Sequence, residues 1–125
     1  MEPLDQMDET ESLRAAYRDF NARNIDAVLV RLHPNVEWAN GMEGGHVHGR
    51  EAVREYWTRQ WSIIDPHVDP LRIQQDESGR WVVEVHQVVH DLNGNQLVDT
   101  VVCHAYRIAT GLIERMDILP RDTTS

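Results

Sequence analysis

The stretch 80–119 constrains the fold of this chain more than any other. It reads as three antiparallel strands, 80–91, 96–108 and 112–119, joined by tight turns. Asn93-Gly94 is the signal of a two-residue type I′ hairpin turn, because such a turn requires positive φ at both central residues. A turn of that kind pairs Asp91 with Gln96. Counting outward then sets Val89 opposite Val98, Gln87 opposite Thr100, Val85 opposite Val102, Val83 opposite His104 and Trp81 opposite Tyr106. One face of the hairpin is therefore mostly apolar, with His104, Tyr106, Gln87 and Thr100 set into it. An apolar surface holding a few convergent polar groups has the composition of a small-molecule pocket. The strand 80–91 would span about 40 Å if straight, at roughly 3.3 Å per residue. In a chain of 125 residues strands that long must bend, and a bent antiparallel sheet with helices on one side encloses a cone.

The length suits one domain. The expected organisation is a leader over 1–7, a single domain over 8–120 and a polar tail over 121–125. There is no apolar run long enough to span a membrane, and the acidic start Met1-Glu2-Pro3-Leu4-Asp5 does not read as a secretory signal, so a cytoplasmic location is expected. Cys103 is the only cysteine, which leaves no internal disulfide or thiolate metal cluster and suggests a small packed side chain. The formal charge is −9. That opposes nucleic-acid binding, which depends on basic residues neutralising phosphates.

Upstream of the meander the pattern is helical. Asp8 with Glu11 three positions on reads as a capping box, and Leu13, Ala16, Tyr17 and Phe20 follow as one apolar stripe. A break at 21–24 leads to a second helix with Ile25, Val28, Leu29 and Leu32 on its buried side, ended by His33-Pro34. Val36-Glu37-Trp38 reads as a short strand and 41–49, with four glycines, as a loop. The clearest helix runs over 50–65, with Val53, Tyr56, Trp57, Trp61 and Ile64 on one side and Asp65-Pro66 as its stop. A strand at 68–75 and a turn at 76–79 complete the chain.

This order of elements resembles the nuclear transport factor 2-like superfamily, and within it the SnoaL-like polyketide cyclase and ketosteroid isomerase branch. The resemblance rests on Leu32-His33-Pro34-Asn35-Val36-Glu37-Trp38, on His48-Gly49-Arg50-Glu51-Ala52-Val53-Arg54-Glu55-Tyr56-Trp57, and on 106–116, Tyr-Arg-Ile-Ala-Thr-Gly-Leu-Ile-Glu-Arg-Met. It implies an α+β fold: a cone-shaped curved antiparallel sheet packed on three N-terminal helices. It implies no obligatory metal or nucleotide cofactor, and a homodimer formed through the outer sheet face. The superfamily holds isomerases, cyclases, hydrolases, dehydratases and non-catalytic binding modules, so the fold by itself licenses no reaction. By the same resemblance the isomerase base falls at Asn40, a carboxamide, and the donor of the penultimate strand at His104. The tyrosine of the first helix falls at Ala16, with Tyr17 one step away on a different side.

The candidate catalytic residues are His104, Tyr106, Glu114 and Asp117. His104 faces the apolar side of the hairpin and titrates near working pH. Tyr106 shares that face. A three-residue turn at Ala109-Thr110-Gly111 brings Glu114 and Met116 inward, whereas a slip of one residue brings Arg115 and Asp117 inward, because strand faces alternate; either carboxylate then serves as a base. The expected pocket lining is Tyr17, Phe20, Trp38, Asn40, His48, Trp57, Trp61, Trp81, Gln87 and Met116. His46-Val47-His48 with Glu51 raises a metal reading, but Zn or Fe needs further ligands and no second such motif follows. The expected function is binding of a small apolar molecule with a polar handle, with acid–base chemistry of an isomerase, cyclase or lyase kind and no cofactor. The alternative is a non-catalytic ligand-binding or dimerisation module of the same fold.

Overall fold

The computed structural model describes residues 2–41 and 43–119. The expected tail at 121–125 and Met1 of the expected leader lie outside them. The elements are α1 (Glu2–Asn21), α2 (Ile25–Leu29), β1 (Leu32–Ala39), β2 (His46–His48), α3 (Arg50–Trp61), β3 (Ile64–Gln75), β4 (Trp81–Asp91), β5 (Gln96–Ala109) and β6 (Leu112–Leu119). The strands form one unclosed sheet in the order β2-β1-β6-β5-β4-β3, with the three helices packed against it. The sheet is mixed: β1 runs parallel to β6 while every other pair is antiparallel, where a wholly antiparallel sheet was expected.

α1 begins at Glu2, ahead of the Asp8 cap, because nothing in 2–7 opposes a helix; Pro3 sits in the first turn, where its missing N–H leaves no gap in the ladder. The helix ends with Arg23 at φ 64°, a left-handed turn unusual for a residue with a Cβ. Its guanidinium stacks over Trp61 at 4.9 Å and Phe20 at 5.7 Å, pairs with Asp65 and donates to the Pro66 carbonyl at 2.8 Å. Asn21 fastens α1 to the sheet: its Nδ2 donates to the Val68 carbonyl at 2.8 Å and its Oδ1 accepts from the Val68 N–H at 2.9 Å, as a neighbouring strand would.

Two proline signals read as helix stops lie inside strands instead. α2 is a single turn, and His33-Pro34 belongs to β1. There four residues, His33 to Val36, lie opposite Glu114 alone on β6, a bulge that accommodates a residue without an N–H. Leu32 belongs to the same strand, and its carbonyl accepts two bonds from the Arg50 guanidinium, at 2.8 and 2.6 Å. α3 stops at Trp61, so Ile64, Asp65 and Pro66 start β3 rather than ending a helix. β3 borders the sheet, where Pro66 and Pro70 are tolerated, and its register to β4 shifts between Pro70 and Arg72. The loop at 41–49 contains β2, paired to β1 through Val47 and Trp38.

The β4–β5 register runs Val89↔Val98, Gln87↔Thr100, Val85↔Val102, Val83↔His104 and Trp81↔Tyr106, as counted from the sequence. The turn itself differs. Gly94 has φ 91° while Asn93 stays at negative φ, and a bulge puts His90 rather than Asp91 opposite Gln96. Asp91 organises this wider turn: its Oδ1 accepts from the N–H of Asn93 and of Asn95, at 2.8 and 2.9 Å. A turn with one left-handed glycine and a bulge closes a hairpin as well as type I′ does.

The concave side of the sheet and the helices share one core. Leu13, Leu32, Val36, Val53, Val83 and Val85 are fully buried, and Trp57 is almost so. Trp57 meets Phe20 and Trp38 edge to face, with ring centroids 5.3 and 5.2 Å apart. Offset aromatic contacts of this kind add to the burial of apolar area. Cys103 is half-buried.

Candidate functional site

Inside the cone is a cavity of about 120 Å³. Ala16, Tyr17 and Phe20 of α1 and Tyr56, Trp57 and Gln60 of α3 form one wall. Gln87 of β4, Val102, His104 and Tyr106 of β5, and Met116 and Ile118 of β6 form the other. Val28, Trp38, Ala39, Gly41, Pro66 and Val68 complete the lining. Gly41 and Ile118 are exposed, so the cavity opens on their side.

Three polar side chains meet at its wall. The Tyr106 hydroxyl donates to the Tyr17 hydroxyl at 2.7 Å, and Tyr17 Oη lies 2.8 Å from His104 Nδ1. Because Tyr17 already accepts from Tyr106, its own proton is free for Nδ1, and this assignment satisfies both hydroxyls. The His104 proton is then on Nε2, which has no hydrogen-bond partner among the described residues. Tyr17 and His104 are also stacked, with centroids 6.0 Å apart and planes 9° from parallel. Burial lowers the His104 pKa from 6.5 to about 4, so the imidazole is neutral at working pH. Burial raises both tyrosine pKa values; at Tyr106 the bond to Tyr17 offsets part of the rise.

Of the residues singled out from sequence, His104, Tyr106, Tyr17, Phe20, Trp38, Trp57, Gln87 and Met116 line this cavity. Tyr17, placed on a different side by the resemblance, turns inward and becomes the link between the other two polar groups. The remaining candidates lie elsewhere. Glu114 is the bulged residue of β6, since Arg107 pairs with Arg115 but Ile108 pairs with Ile113, and it is not part of the lining. Asp117 faces away from Met116 and Ile118. It accepts from His46 at 2.8 Å and from Arg115 at 2.9 Å. Desolvation pushes its pKa up, but those two bonds outweigh it and hold the carboxyl below its usual range. Neither carboxylate is placed to act as a base in the cavity.

Asn40 is buried, but its Oδ1 caps the turn by accepting from the Glu43 N–H at 2.8 Å. His48 is exposed and paired with Glu37. His46 and His48 thus engage separate carboxylates, and no group of three or more His, Cys, Asp or Glu among the described residues is placed to hold a metal. Trp61 packs outside the cavity against Phe20 and Arg23, and its buried Nε1 has no partner among the described residues. Trp81 lies under α1, donating to Glu9 Oε1 at 3.0 Å. Sequence reasoning did not place Tyr56 and Gln60 in the lining. The signal was there: they stand at i and i+4 on α3, and Tyr56 was on its buried stripe. The Tyr56 hydroxyl accepts from the Gly41 N–H at 3.0 Å and from Gln60 Nε2 at 3.4 Å.

A curved sheet wrapped on three helices around an apolar cavity is the architecture of nuclear transport factor 2-like proteins. Residues 13–116 match the SnoaL-like domain, and the chain belongs to that family. No curated protein matches it in sequence. Solved structures share the fold. TerC co-crystallised with polyporic acid is 24% identical with TM-score 0.78, covering 90% of each chain. A nuclear transport factor 2-like protein of unknown function from Burkholderia pseudomallei K96243 is 24% identical with TM-score 0.78, covering 90% of this chain and 89% of that one. A candidate polyketide cyclase from Pseudomonas putida KT2440 is 20% identical with TM-score 0.78, covering 90% of this chain and 91% of that one. Among the described residues no helix is long and apolar enough to cross a membrane.

Proposed function

We propose that this chain binds a small, largely apolar molecule by an oxygen atom held on His104 Nε2–H, and activates it for acid–base chemistry of the isomerase, cyclase or lyase kind. The observation that carries the reading is the Tyr106–Tyr17–His104 hydrogen-bond chain at the wall of an apolar cavity. It favours a proton on Nε2, which leaves that donor for the occupant. A preorganised donor of this kind strengthens its bond as negative charge develops on a carbonyl oxygen. Full transfer of the Nε2 proton is opposed, because Nδ1 would then draw the Tyr17 proton and Tyr17 that of Tyr106, leaving a buried phenolate at a residue whose pKa is already raised. His104 therefore polarises the substrate oxygen rather than surrendering its proton. TerC, which shares the fold, was co-crystallised with a small molecule, polyporic acid, and this supports a small-molecule ligand here.

A second reading, binding without turnover, is favoured by one feature: no carboxylate lines the cavity among the described residues. The deciding experiment is a thermal-shift screen of neutral apolar ketones and alcohols, followed by affinity and turnover measurements on wild type, His104→Gln and His104→Ala. Loss of about tenfold or more in affinity in His104→Ala is expected, equivalent to one good hydrogen bond. Unchanged affinity and turnover would remove His104 from the site. Ligand binding with no conversion in wild type would select the second reading. The exposed Leu71 and Leu97 support pairing of two copies, which sedimentation velocity reads directly; a monomer at high concentration rejects it.

A further inference from the structure

Resting on the binding role of the cavity, its lining narrows the occupant further. We propose that the ligand is a neutral compound about one ring in size with oxygen functions at opposite ends, one bound by His104 Nε2 and the other by the Gln87 carboxamide.

Size comes first. The cavity measures about 120 Å³, and an apolar cavity of roughly 150 Å³ takes up benzene. Phe20, Trp38 and Trp57 close it with edge-to-face contacts to one another, so a fused polycyclic body would have to separate them.

Charge comes second. Among the described residues the lining contains no Arg, Asp or Glu, the chain has no Lys, and it carries −9 overall. An anion would enter against the net charge and find no cation. An ammonium would find no carboxylate, and the aromatic rings present edges to each other rather than an open cage. Unpaired burial of an ion is costly, so the occupant is uncharged.

Polarity comes third. The Tyr17, Tyr56 and Tyr106 hydroxyls and Gln60 Nε2 have protein partners. Among the described lining residues, His104 Nε2, the Gln87 carboxamide, Gln60 Oε1 and the indole N–H groups of Trp38 and Trp57 have no hydrogen-bond partner, and of these only Gln87 offers a whole carboxamide. A carboxamide both donates and accepts, so it suits a hydroxyl as well as a carbonyl. Gln87 pairs with Thr100 while His104 pairs with Val83, which sets them four residues apart along the sheet, about 13 Å between backbones at roughly 3.3 Å per residue. Once both side chains reach inward and a hydrogen bond is added at each end, the remaining gap is about the width of one ring. Gln87 thus becomes the residue that selects for the second oxygen.

The test measures affinities of the intact chain by calorimetry at neutral pH. The probes are toluene, acetophenone, 4-hydroxyacetophenone, 4-hydroxybenzoate and tyramine, and the variant is Gln87→Leu, which preserves side-chain size. In wild type, 4-hydroxyacetophenone should bind about tenfold tighter than acetophenone, the worth of one hydrogen bond, and both should bind tighter than the benzoate or the amine. In Gln87→Leu the two ketones should converge. The wild-type ranking decides even if the variant folds poorly. If toluene binds but the added hydroxyl gains nothing, if a charged probe binds tightest, or if Gln87→Leu leaves the preference intact, the inference falls and the binding role stands. If no probe binds, toluene included, both fall.

Discussion

Replacing Tyr17 by Phe removes a single oxygen atom and leaves two buried groups without partners. The Tyr106 hydroxyl loses its acceptor and His104 Nδ1 loses its donor. A typical intramolecular hydrogen bond contributes about 1 kcal/mol net, and a buried polar group left unsatisfied costs about 1–3 kcal/mol. Tyr17→Phe should therefore lower stability by about 2–4 kcal/mol. Tyr106→Phe removes the same atom from the end of the chain. Tyr17 goes on donating to His104 and loses only a bond it accepted, so the cost should be about 1 kcal/mol. Urea unfolding at neutral pH measures both values. In thermal melts, 1 kcal/mol corresponds to a shift of about 4 °C for a domain of this size. The order is the test, because it follows from Tyr17 being the middle of the chain. If Tyr106→Phe proves as costly as Tyr17→Phe, or more so, the assigned direction of these hydrogen bonds is wrong, and with it the argument that His104 presents Nε2–H to the cavity.

The depressed pKa of His104, about 4 against an ordinary 6.5, makes the folded state bind fewer protons than the unfolded one between those values. Stability should be full above about pH 6.5 and fall as pH drops toward 4, by at most about 3 kcal/mol; urea midpoints across that range should flatten in His104→Gln relative to wild type. Trp57→Ala deletes an almost fully buried ring at the meeting point of Phe20 and Trp38 and should cost about 3–5 kcal/mol, read as a large drop in the urea midpoint. Asn21→Ala unpairs both polar groups of Val68 and should cost about 2 kcal/mol, with hydrogen exchange at the Val68 amide accelerating far more than at Val85.

The meander was legible in the sequence because one turn signal and strict alternation fix a register. The turn proved to be of another kind, yet the five counted pairs stood, since the bulge at Val89/His90 absorbs the difference next to the turn. Proline was less informative. At His33-Pro34 and Asp65-Pro66 it disfavours helix, but the sequence does not say whether a loop or a bordering strand follows. The cavity lining was legible where it lies on regular β5, as at His104 and Tyr106. On β6 Met116 lines the cavity as expected but Glu114 does not, because the bulge there is set by pairing to neighbouring strands and no local residue announces it. Tyr17 was expected in the lining, and it is there beside Ala16, where the resemblance puts the isomerase tyrosine; its role as the link between Tyr106 and His104 was not legible. Which side of α1 faces His104 depends on how the helix is rolled against the sheet, and Asn21 helps to set that roll through Val68.

A border strand as long as β3 is ordinarily a template on which foreign chains can add and fibrils can grow. In its first half this one offers almost nothing to recognise. Pro66 and Pro70 have no amide proton, the Pro66 carbonyl is taken by Arg23, and both polar groups of Val68 between them are occupied by Asn21. The opposite border, β2, is only three residues long. An unclosed cone cannot hide its borders as a barrel does, and here two prolines and one asparagine guard the longer of them against misassembly.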